Sequence, residues 1–308
     1  VTLPETDEPR PARQPTTPYD RVVVIFNPNS TGDAPALAEE LRTDLAERLP
    51  DLPVHLEPTQ HAGHARELAG DAARTGRPLI VSVSGDGGYN EVVDGVVKAG
   101  NPDAVCAVKA AGNANDHRRA TRERPLVEAI VAGEVRRIDL LRLTIGRGAD
   151  ARVQYAHSYI GMGLTPVVAI DLEKGGKGSF REILSVIRTF AAFRPFTIRL
   201  EDGRKRSFDS LLFANIAEMA KYAVLSETGR PDDGRFEVIT LPHTAKWRVL
   251  ATAVRAAVRG LGPQPTAQHY VFTTVKPIPL QVDGELLTLD PGTPVRVDIA
   301  PAALATVT

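Results

Sequence analysis

The chain has a single cysteine, Cys106, among 308 residues. One thiol excludes an intrachain disulfide framework and a cysteine metal cluster within one chain, and it suits a reducing compartment. Its setting, "AVCAVKA", reads as a small buried strand residue. Long apolar runs are also missing, so no helix is expected to span a bilayer. There is no excess of one charge: 37 Lys plus Arg stand against 38 Asp plus Glu. No global attraction to nucleic acid or to an anionic surface follows, and basic residues do not alternate with aromatics as a nucleic-acid surface would require. Neither GxGxxG nor GxxxxGK(S/T) occurs, which sets aside the dinucleotide fingerprint and the P-loop.

Residues 1–20 are proline-rich, lack an apolar h-region and read as a disordered leader rather than a signal peptide. "RVVVIFNPNS" then reads as a buried strand stopped by a turn. "DAPALAEELRTDLAERL" carries Leu37, Leu41, Leu45 and Leu49 at a four-residue spacing, which predicts a helix. The alternation continues: strand "LPVHLEP", helix "HAGHARELAGDAARTG", strand "PLIVSVSG", a helix beginning near Asn90, and strand "AVCAVKAAG". Strands and helices alternating at this length imply parallel pairing, and such sheets bind ligands at the C-terminal strand ends.

From about residue 136 the texture changes. "RRIDLLRLTI", "ARVQYAHSYIGMG", "FTIRLEDGRKRSFDSLLFANIA", "GRFEVITLP", "AQHYVFTTV", "PIPLQVDGELL" and "PVRVDIAP" read as strands joined by turns. Two helical stretches interrupt them, "SFREILSVIRTFAAF" and "AKWRVLATAVRAAVRGLG". The expected fold class is an α/β N-terminal domain with a parallel sheet over residues 21–138. A mostly antiparallel, β-rich domain follows over 139–308. The cleft between them is the expected site.

The stretch "SVSGDGGYNEVVDGV" puts Gly85, Gly87 and Gly88 around Asp86 at a strand end. Glycines there permit left-handed dihedrals and leave amides facing an anion, and the following helix adds its positive end. A bare carboxylate repels phosphate unless magnesium or water intervenes, so a metal-nucleotide suits the turn better than free phosphate. Taken alone, the stretch is equally a turn that packs a helix. His61 and His64 are three residues apart, with no further His or Cys spacing to complete a zinc site.

Three turns after predicted parallel strands, taken together, resemble the diacylglycerol kinase-like family of lipid kinases, which includes bacterial diacylglycerol kinases and eukaryotic sphingosine and ceramide kinases. The family's Asn-Pro-x-Ser-Gly turn is matched by Asn27, Pro28, Ser30 and Gly32, with Thr31 inserted. Its Gly-Gly-Asp-Gly-Thr-x-Asn-Glu-Val box is matched by Ser84, Gly85, Asp86, Gly87, Gly88, Tyr89, Asn90, Glu91 and Val92. Its Pro-Leu-Gly-Thr-x-Asn-Asp box is matched loosely by Ala110, Ala111, Gly112, Asn113, Ala114, Asn115 and Asp116. The likeness continues through "FANIAEMAKYAVLSETGRPDDGRFEV" and the "VDGE" that contains Glu285, covering about residues 21–305. It implies ATP and Mg2+ as cofactors, with Asp86 at the metal. Asn27, Pro28, Ser30, Gly32, the Ser84–Glu91 box, Gly112, Asn113, Asn115 and Glu285 would frame the nucleotide. It further implies Asp233 as the general base that takes the proton of an acceptor hydroxyl, with Asp232 its rival.

Two hydroxyls of the family pattern are absent: Gly88 and Asn113 stand where it has threonine. Residues 174–206 hold nine Lys or Arg against three acidic residues around an apolar helical stripe, a segment suited either to anionic headgroups or to the core. The resemblance implies transfer of the γ-phosphate to a diacylglycerol-like or sphingoid hydroxyl, in a cytoplasmic protein peripheral at the membrane during turnover. It has no nucleic-acid partner and no transmembrane anchor, and homodimer formation stays open. Two alternatives remain: an NAD-kinase-like enzyme with a soluble acceptor, and a nucleotide-binding regulator whose catalysis has weakened.

Overall fold

The computed structural model describes residues 17–30, 32–111, 121–122, 124–163, 195–216, 218–219, 223–224, 229–243 and 262–308. Gly112, Asn113, Asn115 and both helical stretches expected in the second half lie outside them. The first half alternates as expected: β1 (Arg21–Phe26), α1 (Ala34–Arg48), β2 (Val54–Pro58), α2 (His64–Ala73), β3 (Pro78–Ser84), α3 (Asp86–Ala99) and β4 (Val105–Ala110). α4 (Leu126–Ala132) follows, a short helix that the sequence reading passed over. β1 pairs in parallel with β2 and β3, and β3 in parallel with β4.

Alternation along these strands builds two faces. Val22 and Val24 point with Leu79 and Val81 to a layer made by α1 and α4, where Leu41, Leu45 and Ile130 are fully buried. Val23, Ile25 and Ile80 point the other way, onto Ala69 of α2 and Val92, Val93 and Val96 of α3. Tyr19, in the stretch expected to be leader, is buried in the first of these layers. Cys106 lies in the second, where burial pushes its thiol pKa up and leaves it protonated and inert.

Apart from a 3-10 turn at Gly148–Asp150, the remaining elements among the described residues are strands: β5 (Val135–Ile145), β6 (Arg152–Ala156), β7 (Tyr159–Gly163), β8 (Phe196–Leu200), β9 (Lys205–Ala214), β10 (Glu218–Met219), β11 (Ala223–Val224), β12 (Phe236–Pro242), β13 (Thr266–Ala267), β14 (His269–Thr274), β15 (Ile278–Val282), β16 (Glu285–Leu289) and β17 (Pro294–Val307). Their pairings with one another are antiparallel, around a core of Leu, Ile, Val and Phe side chains that includes Phe213, Phe236 and Phe272. The expected single strand at 151–163 is two, β6 and β7, because His157 and Ser158 break it to engage a buried carboxylate.

β17 joins the two kinds of sheet. It runs antiparallel to β14 and β5, breaks register between Ala300 and Leu304, and then pairs in parallel with β4 through Ala305 and Thr306. A parallel α/β sheet followed by an antiparallel β-rich region is the fold class expected. Among the described residues no helix is long and apolar enough to cross a membrane.

Candidate functional site

At the end of β3 the chain turns directly into a helix. Gly85 caps it in an extended conformation, and α3 begins at Asp86, four residues before the expected start. Asp86, Gly87 and Gly88 therefore form the first helical turn, and none of the three box glycines adopts a left-handed dihedral. At residue 88 small size serves close approach instead. A Cβ on residue 88 would stand 2.7 Å from the Ser84 Cβ, and one on residue 87 would stand 3.6 Å from the Asp283 carbonyl oxygen. The amides of a first turn lack intrahelical acceptors and carry the positive end of the helix dipole, which favours the Asp86 carboxylate and equally a bound anion.

The turn after β1 is rigid for a local reason. The Asn27 Oδ1 accepts the Asn29 amide at 2.9 Å, and its carbonyl accepts the Ser30 amide at 3.1 Å, an Asx turn closed around Pro28. Gly32 brings this turn against the end of β4: a Cβ there would meet the Ala111 carbonyl oxygen at 2.1 Å. The Ala111 amide donates to the Ser84 carbonyl at 3.0 Å, so the chain ends after β1, β3 and β4 converge at one edge. The Ser30 Oγ is buried there with no hydrogen-bond partner among the described residues.

A cavity of about 360 Å³ opens at this edge. Of the residues expected from sequence, Asn27, Ser84, Gly88 and Glu91 line it; Ser82, Asn29, Thr59, Gln60 and His61 join them. Sequence reading missed Ser82 and Thr59, although both occupy strand-end positions where such a site would draw its hydroxyls. At the mouth, His61 and His64 stack with ring centroids 4.7 Å apart, and Glu67 supplies the third metal-capable side chain that spacing of His and Cys alone did not reveal. The His64 Nδ1 accepts the Gln60 amide at 3.1 Å, which leaves the ring proton on Nε2 and keeps that nitrogen from ligation.

The hairpin β15–β16 packs on the start of α3. Its two-residue turn, Asp283 and Gly284, has φ of 43° and 95°, the pair of positive values that a tight type I′ turn requires. The fully buried Asp283 carboxylate accepts three successive amides: His157 at 2.6 Å, Ser158 at 3.2 Å and Tyr159 at 2.8 Å. Burial raises its pKa, against the opposing pull of His157 and of these amides. The His157 Nε2 lies 3.4 Å from this carboxylate and 3.5 Å from the Asp86 carbonyl oxygen, so the second half of the chain supports the Asp86 turn from behind.

Asn90 belongs to that support. It is fully buried, and its amide nitrogen donates to the Asp283 carboxylate at 3.2 Å and to the Tyr155 carbonyl at 2.8 Å. Glu285 is engaged as well, accepting Gln154 Nε2 at 2.6 Å and pairing with Arg66 at 3.2 Å. Neither residue lines the cavity. We expect Asp283→Ala to destabilise the protein by about 3–5 kcal/mol, because three buried amides lose a charged acceptor together. Urea unfolding of the two proteins measures this, and an unchanged midpoint would remove the clamp from the account.

Asp233 sits apart from the cavity. It is exposed, and its Oδ1 accepts the Arg235 amide at 3.0 Å, while Asp232 pairs with Arg230 at 3.3 Å. The turn carrying both is gripped from within by Asp139 of β5. The Asp139 carboxylate accepts the Gly234 amide and the Ala302 amide, each at 2.7 Å, and its own amide donates to the Pro231 carbonyl at 2.7 Å. Asn215 Nδ2 donates to the Asp139 carbonyl at 2.7 Å. An acid inside the apolar strand "RRIDLLRL" was the available sign of this anchor.

Residues 21–143 match the family model described as the diacylglycerol kinase catalytic domain. A diacylglycerol kinase of Bacillus subtilis (strain 168) is 26% identical over 245 residues, spanning 75% of this chain and 77% of the relative. Among solved structures, a diacylglycerol kinase from Bacillus anthracis str. Sterne superposes with a TM-score of 0.71 at 20% identity, over 94% of this chain and 97% of that one. Yeast NADH kinase complexed with NADH superposes with a TM-score of 0.53 at 12% identity, over 95% and 84%, a likeness of fold alone. The catalytic-domain match falls on the strands whose turns meet at the cavity, so it is there, and along most of its length to the Bacillus subtilis relative, that this chain is similar to the diacylglycerol kinases.

Proposed function

We propose that this protein is a lipid kinase that transfers the γ-phosphate of Mg-ATP to the hydroxyl of a diacylglycerol-like or sphingoid lipid. The observation that carries the reading is the convergence of the chain ends after β1, β2 and β3 on one cavity, with Gly88 of the first turn of α3 at its wall. The residues present fit a nucleotide. The hydroxyls of Ser82 and Ser84, which line the cavity, and the positive end of α3 form a donor set suited to phosphate oxygens, and the orphaned Ser30 Oγ lies in the adjoining turn after β1. Asn27, Pro28 and Gly32 hold the opposite wall in place, and Asp86 and Glu91 supply carboxylates for Mg2+. The cation contributes neutralisation of phosphate charge when bound.

The chain's own groups then have distinct tasks. The Asx turn and the α3 amides would fix the phosphates, the Asp283 clamp keeps the Asp86 turn rigid, and Asp233 would take the acceptor hydroxyl's proton as the hydroxyl oxygen bonds to the γ-phosphorus and the bond to the β–γ bridging oxygen breaks, releasing ADP. Gly112, Asn113 and Asn115 are assigned to the nucleotide by resemblance, as is Glu285, whose bonds to Arg66 and Gln154 suit a supporting position. The basic stretch from Lys174 to Arg206 is the proposed approach to the membrane surface, from the cytoplasmic side.

Labelled phosphate transfer from Mg-ATP to a mixed lipid extract in detergent micelles tests the reading. A labelled phospholipid is expected, and its identification names the acceptor. Label in a water-soluble product, or nucleotide binding with no transfer, would overturn the lipid assignment in favour of a soluble acceptor or a regulator.

A further inference from the structure

Asn215 stands between the two turns that the proposed reaction uses. Its Nδ2 donates to the Asp139 carbonyl at 2.7 Å and to the His157 carbonyl at 3.4 Å. The imidazole of His157 reaches the Asp86 carbonyl oxygen at 3.5 Å, and the carboxylate of Asp139 accepts the amide of Gly234, next to Asp233, at 2.7 Å. The backbone is held as well, since the Asn215 amide donates to the Ser158 carbonyl at 2.8 Å. A side-chain amide carries two protons on its nitrogen and two lone pairs on its oxygen. Both neighbours of the nitrogen are carbonyls, which only accept. The amide is therefore fixed in one orientation, with its oxygen on the other side.

That oxygen has no donor. The Asn215 Oδ1 is buried without a hydrogen-bond partner among the described residues, on a residue only 1% exposed. An unpaired buried acceptor destabilises the protein that contains it, so it calls for a donor from outside the chain, either a water or a bound molecule. Its ties to the Asp86 turn and to the Asp233 turn favour the molecule on which both turns would act, the acceptor.

The two classes of acceptor differ at this point. Apart from the hydroxyl that is phosphorylated, a diacylglycerol carries ester oxygens, which only accept. A sphingoid lipid carries a second hydroxyl and an N–H group beside the reacting one. Only the sphingoid can satisfy the Asn215 oxygen while its reacting hydroxyl stays free to give its proton to Asp233. We propose that the Asn215 Oδ1 receives this second donor, and that the protein selects sphingoid acceptors over diacylglycerols. This inference rests on the reading of the protein as a lipid kinase, and it assigns Asn215 to acceptor selection.

The test measures phosphate transfer from Mg-ATP to sphinganine, to a ceramide and to a diacylglycerol of matched chains, in the same detergent micelles, with the parent and with N215L. For the parent, kcat/KM for the better sphingoid is expected to exceed that for diacylglycerol by about ten- to a hundredfold, the range for leaving one buried acceptor unpaired. N215L should bring the ratio close to one. Losing the bonds to Asp139 and His157 would slow transfer to every lipid alike, so the ratio separates selection from structure. If thermal unfolding shows that N215L does not fold, N215S, which keeps one donor, is read in its place. Equal or faster transfer to diacylglycerol by the parent would overturn the inference. So would a ratio that persists in the variant, which would assign the unpaired oxygen to a bound water. Absence of transfer to any lipid is a separate result, and it would overturn the lipid-kinase reading and this inference with it.

Discussion

Asp86→Asn is expected to reduce phosphate transfer by about 10²- to 10³-fold, the scale for removing one electrostatic group from a preorganised site. The fold should survive the change. Asp86 occupies the first turn of α3, where a carboxylate gains about 0.3–1 kcal/mol from the helix dipole, and asparagine keeps its size and an acceptor oxygen. The effect therefore falls on chemistry: an amide cannot balance the charge of a divalent cation. Transfer assayed across a magnesium titration, beside thermal unfolding of both proteins, separates the two. Near-parental transfer with an unchanged magnesium requirement would remove Asp86 from the metal, and a collapsed thermal midpoint would recast it as structural.

How far this was legible in the sequence depends on the range of the interactions. The parallel half declared itself through β-branched runs and through Leu37, Leu41 and Leu45, whose spacing is a property of the helix itself. The start of α3 was displaced because three glycines within four residues argue against a helix, whereas in the structure all three take ordinary dihedrals and contact with Ser84 favours glycine at 88 for its size. Asn90 was read as a nucleotide residue on resemblance, and the structure buries it against Asp283, 193 positions later by residue number. The Asp283 clamp on His157, Ser158 and Tyr159 spans at least 124 residues, and no local pattern encodes a bond of that range. The cavity followed the rule for parallel sheets, since strand order puts the ends of β1 and β3 side by side. Its hydroxyl lining did not, because Ser82 belongs to an otherwise apolar strand and reads as part of the core.

Asp233→Asn and Asp139→Ala should fail in different ways, and the difference tests how the second half of the site is built. If Asp233 takes the hydroxyl proton, D233N is expected to lower kcat by about 10²- to 10⁴-fold, with the KM for nucleotide nearly unchanged. Its stability should match the parent, because the Asp233 side chain is exposed and, among the described residues, bonds within its own turn. Asp139 is the reverse case. It is 4% exposed, and its carboxylate serves the Gly234 amide on one side and the Ala302 amide on the other. D139A strips both amides of a charged acceptor where water does not replace it, so a destabilisation of about 2–4 kcal/mol is expected. The Ala302 side of that grip lies at the register break of β17, where φ of Ala302 is 48°, so the same substitution loosens the strand that links β5 to β4. The turn carrying Asp233 should then lose its fixed position, and kcat should fall even in the fraction that remains folded. Urea unfolding and steady-state transfer on the two variants check the pair. Parental stability in D139A would end the anchoring argument, and near-normal turnover in D233N would pass the base assignment to its neighbour Asp232.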